Sequence, residues 1–140
     1  MTIHLIKMAV GVDDLDHLIE MRRARRKREG EGPVGHRTRH MPKRATEILD
    51  GGSLYWVIKG LIRVRQRIVA LTAETDEEGK RSCLIAMDHT LVPTEPQLQR
   101  PFQGWRYLLP RDAPPDRRGG AAGDELPAKL VRELRSLGLM

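Results

Sequence analysis

Eight basic side chains fall between His36 and Leu71, and they carry the clearest chemistry in this chain of 140 residues. Arg37 and Arg39 flank Thr38, Lys43 and Arg44 follow Pro42, Lys59 precedes Gly60, and Arg63, Arg65 and Arg67 recur at every second position. Side chains two apart on a strand share one face at a spacing of about 6.5–7 Å. Three arginines so placed, with no acid between them, suit a run of phosphates, although an outer strand face is polar in any case. Further on, Phe102, Trp105 and Tyr107 crowd together with Arg100, Gln103 and Arg106. Aromatics beside arginines are the ingredients of a base-stacking surface. They are also those of a strand that closes a core, and with so few aromatics in the chain that use takes precedence. The expected site has phosphate contacts from Arg37, Arg39, Lys43, Arg44, Lys59, Arg63, Arg65 and Arg67. Trp105 or Tyr55 would stack a base, and Arg106, opposite Trp105 on its strand, completes the set.

Other chemistries leave weaker traces. His36 and His40 are four apart and would share a strand face, but no third ligand follows at a metal-binding spacing, so no metal is expected. Ser53 follows Gly51-Gly52 without the pattern of a nucleophile elbow. No phosphate loop or dinucleotide fingerprint occurs, and no cofactor is expected. A concealed hydrolase or transferase acting on a nucleotide-like substrate would centre on Lys59, Tyr55, Asp50 and Glu47. There a lysine desolvated in an apolar strand would lose basicity. Cys83 is the single cysteine, which excludes an internal disulfide, and its apolar neighbours suggest a buried thiol.

Composition sets the frame. The net charge of +6 and pI near 10 favour a polyanionic partner such as nucleic acid or an acidic membrane surface; the partner expected is nucleic acid, RNA in the first place, and no membrane. A second basic run, Arg22-Arg23-Ala24-Arg25-Arg26-Lys27-Arg28, adds to that charge, although bases at a helix C-terminus also suit its dipole. No apolar stretch approaches a membrane span, and the start lacks a signal peptide, so a cytoplasmic protein is expected, a monomer or weak homodimer.

The elements that must position these residues follow from periodicity. Residues 2–10 read as a strand. Asp13 or Asp14 caps a helix to Glu29 with Val12, Leu15, Leu18 and Ile19 on one face. Residues 36–40 form a short strand, and Pro42 opens a helix that Gly51 or Gly52 ends in a left-handed turn. Leu54–Ile58 is a buried strand. Leu61–Leu71 alternates, with Ile62, Val64, Ile68 and Ala70 on one face and the arginines on the other, and it pairs with residues 81–88 across an acidic turn. Pro93 to Pro101 reads as irregular, and Trp105 and Tyr107 share one side of a last strand. A helix capped by Asp124, with Pro127 in its first turn, carries Leu126, Leu130, Val131, Leu134 and Leu137 as an apolar stripe. The expected fold is α+β, a small curled, mostly antiparallel sheet or partial barrel with two inserted helices. Residues 1–118 form the domain, and 119–140 a flexible linker and an amphipathic helix packed on the domain or on a partner. A protein that bound an acidic partner would instead leave that last stripe exposed.

Two resemblances accompany this reading. The short helix ending in Gly-Gly before an apolar strand resembles the PUA and ASCH group, which implies binding of RNA or modified bases. Leu54-Tyr55-Trp56 stands where the ASCH pattern has Lys, Glu and Arg, which speaks against an ASCH-like hydrolase. Longer blocks cover nearly the whole chain: His36-x-Thr38-Arg39, Pro42-Lys43-Arg44-Ala45, Asp50 to Gly60, Arg65-Gln66, Arg100 to Leu108, Asp112-Ala113-Pro114-Pro115-Asp116 and Leu137-Gly138-Leu139. These resemble domain of unknown function 1489, a family of small alphaproteobacterial proteins, and that resemblance implies no activity.

Overall fold

The computed structural model describes residues 1–117 and 128–138. Its elements are β1 (His4–Met8), α1 (Leu15–Glu29), β2 (Val34–Thr38), α2 (Ala45–Leu49), β3 (Ser53–Ile58), β4 (Leu61–Thr75), β5 (Arg81–Met87), β6 (Val92–Leu98), β7 (Trp105–Leu108), a 3-10 turn (Pro110–Asp112) and α3 (Ala128–Ser136). Together they make the expected α+β fold around one seven-stranded sheet. Strands run in the order β2-β5-β4-β3-β1-β7, with β6 also paired to β4. Only β1 and β3 are parallel, and the connection between them carries α1, β2 and α2.

Local chemistry explains the boundaries. The Asp14 carboxylate accepts the His17 N–H at 2.7 Å and caps α1, and Gly30 ends the helix at φ +88°. Leu15 and Leu18 bury the helix against the sheet, each worth about 1.5–3 kcal/mol of apolar transfer. Lys59 and Gly60 both have positive φ, as a two-residue hairpin turn with the twist of its strands requires. Gly51 supplies the left-handed residue after α2.

Several elements differ from expectation: β2 occupies Val34–Thr38 in place of residues 36–40, and α2 begins at Ala45, which leaves Pro42 ahead of the helix and not in its first turn. Residues 92–98 form a strand despite Pro93 and Pro96, because β6 is an edge strand, where a missing N–H leaves no ladder partner wanting. The regular alternation of β4 also fails. Trp56 pairs with Val64 but Val57 with Ile62, so Arg63 is an extra residue in a bulge. In consequence Ile62 packs with Ile6, Tyr55 and Val57 on one face, and Val64 with Leu54, Trp56 and Ile58 on the other. A second irregularity at Val69 carries β4 on to pair with β5.

The sheet is strongly curled. In a flat sheet β2 and β7 would stand five strand spacings apart, roughly 24 Å. Yet the Trp105 indole of β7 donates to the His40 carbonyl, just beyond β2, at 2.7 Å. The concave face therefore gathers Leu5, Trp56, Ile85 and Val34 from four strands with Leu15 of α1 and Ile48 of α2 into the main core. No strand ladder joins β2 to β7, so the sheet is an unclosed barrel with a seam. On α3, Leu134 is buried and Leu137 exposed. The Asp124 cap, Leu126, Pro127 and the linker fall outside the described residues.

Candidate nucleic-acid interface

The arginine ladder expected on β4 does not exist as an exposed face. Arg63 is only 5% exposed, drawn in by the bulge. Arg65 makes two bonds to the Asp116 carboxylate, 2.8 and 2.9 Å, and a third to the Ser53 hydroxyl. That pairing raises the Arg65 pKa and lowers that of Asp116. Arg67 alone is solvent-exposed. Alternation predicted one face because a single inserted residue, invisible in composition, resets the pleat.

The remaining predicted residues divide between two sides of the sheet. Arg37 pairs with Glu74 at 2.9 Å, while Arg39 and Lys43 are exposed and have no ion pair among the described residues. Arg44 is held by Glu47 and lies 5.7 Å from the centre of the Tyr107 ring. Lys59 stands on its hairpin turn, 3.7 Å from Asp13 and 60% exposed, so the enclosed lysine of the hydrolase reading is absent. Arg106 lies over Phe102, on the other side of β7 from Trp105 and Tyr107, which meet edge to face at 4.9 Å. The basic run of α1 is partly folded back: Arg25 donates to the Gly35 carbonyl, Arg26 pairs with Glu31, and Arg22 lies over Trp56.

Arg37, Arg39 and Trp105 do come together, at the seam. A cleft of about 780 Å³ opens there between β2 and β7, lined by Lys7, Arg37, Thr38, Arg39, His40, Gln103, Gly104 and Trp105. Its walls carry three cations, of which Arg37 is paired with Glu74 from the neighbouring cleft, one aromatic face and no carboxylate of their own. A neighbouring cleft of about 570 Å³ shares Arg37 and Arg39 and adds Lys80 and Arg81, but Glu74 and Asp76 also line it and no aromatic ring does. Lys7 is the residue that sequence reasoning missed. It lies opposite Trp105 in the β1–β7 ladder, and burial pushes its pKa down. Nothing local in β1 reports that its partner comes from the far end of the chain.

Beneath the seam lies a polar interior. His36 meets Trp56 edge to face at 5.2 Å, and the Arg22 guanidinium lies 5.6 Å from the Trp56 ring. The Trp56 indole donates to the fully buried Gln66 side chain, which in turn donates to the Asp88 carbonyl, both at 2.9 Å. Burial, followed by the charges of Lys7, Arg22 and Arg25, lowers the His36 pKa to about 4.

On the convex face, a shallow cleft of about 500 Å³ brings together His4, Ser53, Tyr55, Arg65 and Asp116. Here the Ser53 backbone N–H donates to His4 Nδ1 while the Ser53 hydroxyl accepts from Arg65. The serine oxygen is therefore turned to a cation and not to a base, which is no arrangement for a nucleophile. Burial raises the Tyr55 pKa, which keeps that phenol protonated. Among the described residues no three His, Cys, Asp or Glu side chains group as metal ligands, and no helix is long and apolar enough to cross a membrane.

Fold and seam together define an α+β half-barrel with a cationic, aromatic-walled cleft along its open edge. The chain belongs to a family described as protein of unknown function (DUF1489), whose model matches residues 5–140. No curated protein and no solved structure matches it, so the PUA and ASCH likeness gains no support.

Proposed function

We propose that this protein binds single-stranded nucleic acid, RNA in the first place, along the seam between β2 and β7. The observation that carries the reading is the make-up of the cleft: Lys7, Arg37 and Arg39 beside the Trp105 ring, without one carboxylate. Cations that track a backbone next to an aromatic face on which a base stacks are the common plan of single-strand binders. The volume belongs to the range of ligand pockets and suits a few nucleotides in place of a duplex. RNA is favoured because its loops and ends offer unstacked bases. Lys43, exposed and three residues beyond His40, would extend the path outside the cleft.

A salt titration tests this. A short fluorescent single-stranded RNA and a matched duplex DNA are titrated with wild type and with the double variant Arg37→Gln/Arg39→Gln. Binding of the single strand near physiological salt is expected, with a log–log salt slope that the variant reduces by about 0.7 per arginine removed. No binding at low salt overturns the reading. Preference for the duplex would move the interface off the seam.

A further inference from the structure

Beside the cleft, positive charge gathers around Trp56, the ladder partner of Lys7: His36 and Arg22 stand against that ring and do not themselves line the cleft. Lys7 lines the cleft, is partly buried and has no ion pair among the described residues. Its charge acts on His36, and so does that of Arg22. His36 Nε2 and Arg22 Nε are both shielded from solvent and lack a hydrogen-bond partner among the described residues. The nearby Arg25 is different: Glu29 and the Gly35 carbonyl satisfy it. So two cations and an imidazole face one another around Trp56, and no carboxylate contributes to the environment of His36.

Such an arrangement is unfavourable by itself. Partly buried cations lose hydration and repel one another, and an unpaired buried N–H costs about 1–3 kcal/mol. Folding alone would be served better by an apolar residue at Lys7 or Arg22. An anion reaching in past Lys7 reverses each cost at once. It neutralises two charges, accepts from Arg22 Nε–H, and accepts from His36 once that ring takes a proton. A phosphodiester matches this poorly, since it carries one charge and needs chain leaving on two sides. A phosphomonoester brings up to two charges, three terminal oxygens and a single attachment.

We infer that the Lys7–His36–Arg22 cluster is a binding site for a terminal phosphomonoester, so that the seam takes a phosphorylated strand end. This inference rests on the nucleic-acid reading of the seam and narrows it.

The test compares one RNA sequence bearing a 5′-phosphate, a 3′-phosphate or hydroxyls at both ends. At least one phosphorylated form is expected to bind about tenfold tighter than the unphosphorylated strand. Lys7→Gln, checked for folding by circular dichroism, should weaken every strand by the loss of one seam cation and, beyond that, erase the preference, bringing phosphorylated and unphosphorylated strands to one affinity. In wild type, inorganic phosphate should shift the His36 imidazole resonances and raise the pH at which they titrate, since a bound anion favours the protonated ring. Equal binding of all three strands would refute the phosphate site and leave the proposed function standing. If no strand binds, the nucleic-acid reading fails, and the His36 resonances decide alone: a saturable shift with phosphate supports the anion site, and silence sinks it. The same titration on wild type serves if Lys7→Gln does not fold.

Discussion

His36 is the residue whose surroundings depart furthest from its chemistry in water. Its ring is held neutral because burial and the charges of Lys7, Arg22 and Arg25 oppose a proton, with a pKa near 4 against 6.5 for the free side chain. The unfolded chain can take that proton from about pH 6.5 downward, while the folded chain resists until about pH 4. Between those limits the unfolded state binds more protons, so stability falls as pH falls. The loss is on the order of 1–2 kcal/mol once solvent screening of a partly exposed ring is allowed for. Its onset lies above the range where the carboxylates paired to Arg44 and Arg65 titrate, and His4, shifted the same way, adds to it. Melting temperature followed from pH 7 to pH 4.5 should decline in wild type and decline less in His36→Gln. Equal declines would show that the ring titrates normally. None of this was legible from the sequence, where His36 reads as a member of a basic run and, with His40, as half of a histidine pair. Its neutrality depends on α1 and β1, which approach it only in the fold. The ladder of Arg63, Arg65 and Arg67 shows the same limit: spacing was visible, but the bulge that buries one and the Asp116 that occupies another were not.

At the scale of elements, pattern carried further. The capped α1, the glycine turn after α2, the apolar β3 and the β4–β5 pair all follow from local sequence. In each, the periodicity and the punctuation agree. Where they disagreed, as in the proline-bearing β6, the tertiary setting decided. The Gly51-Gly52 pair shows how far local reasoning goes. One glycine was expected to turn left-handed, and Gly51 does so at φ +89°. Gly52 has a different task. A Cβ there would collide with the backbone oxygens of Ile3 and Ile48, because α2, β1 and the start of β3 converge on that point. Its N–H donates to the Ile48 carbonyl at 2.7 Å and its carbonyl accepts from Ile68, so the backbone has little room to retreat. Gly52→Ala should therefore cost about 2–3 kcal/mol. Gly51→Ala should cost about 1 kcal/mol, for its strained backbone alone. Urea denaturation of the two variants checks the ranking, and a milder effect at Gly52 would mean that α2 is loosely seated.

For the whole molecule, the α+β class was legible because long alternating strands with early helices leave few other arrangements. The seam was not, because it exists only through the curl that brings β7 next to β1 and its Trp105 to His40. This one residue joins the two ends of the sheet and also walls the cleft, and the two duties separate by substitution. Trp105→Phe keeps a ring but removes the N–H that His40 accepts. It should lower stability by about 0.5–1.5 kcal/mol and change nucleic-acid affinity little. Trp105→Ala removes the stacking face as well and should cost a further 1–3 kcal/mol of binding, roughly ten- to a hundredfold in Kd. Thermal melts and fluorescence anisotropy on both variants resolve the two contributions. If Trp105→Ala binds as tightly as wild type at matched salt, Trp105 is a structural clasp alone, and the cations of the seam must act without a stacking partner. If Trp105→Phe already loses most of the affinity, the clasp itself sets the width of the cleft, and closure of the half-barrel becomes part of recognition.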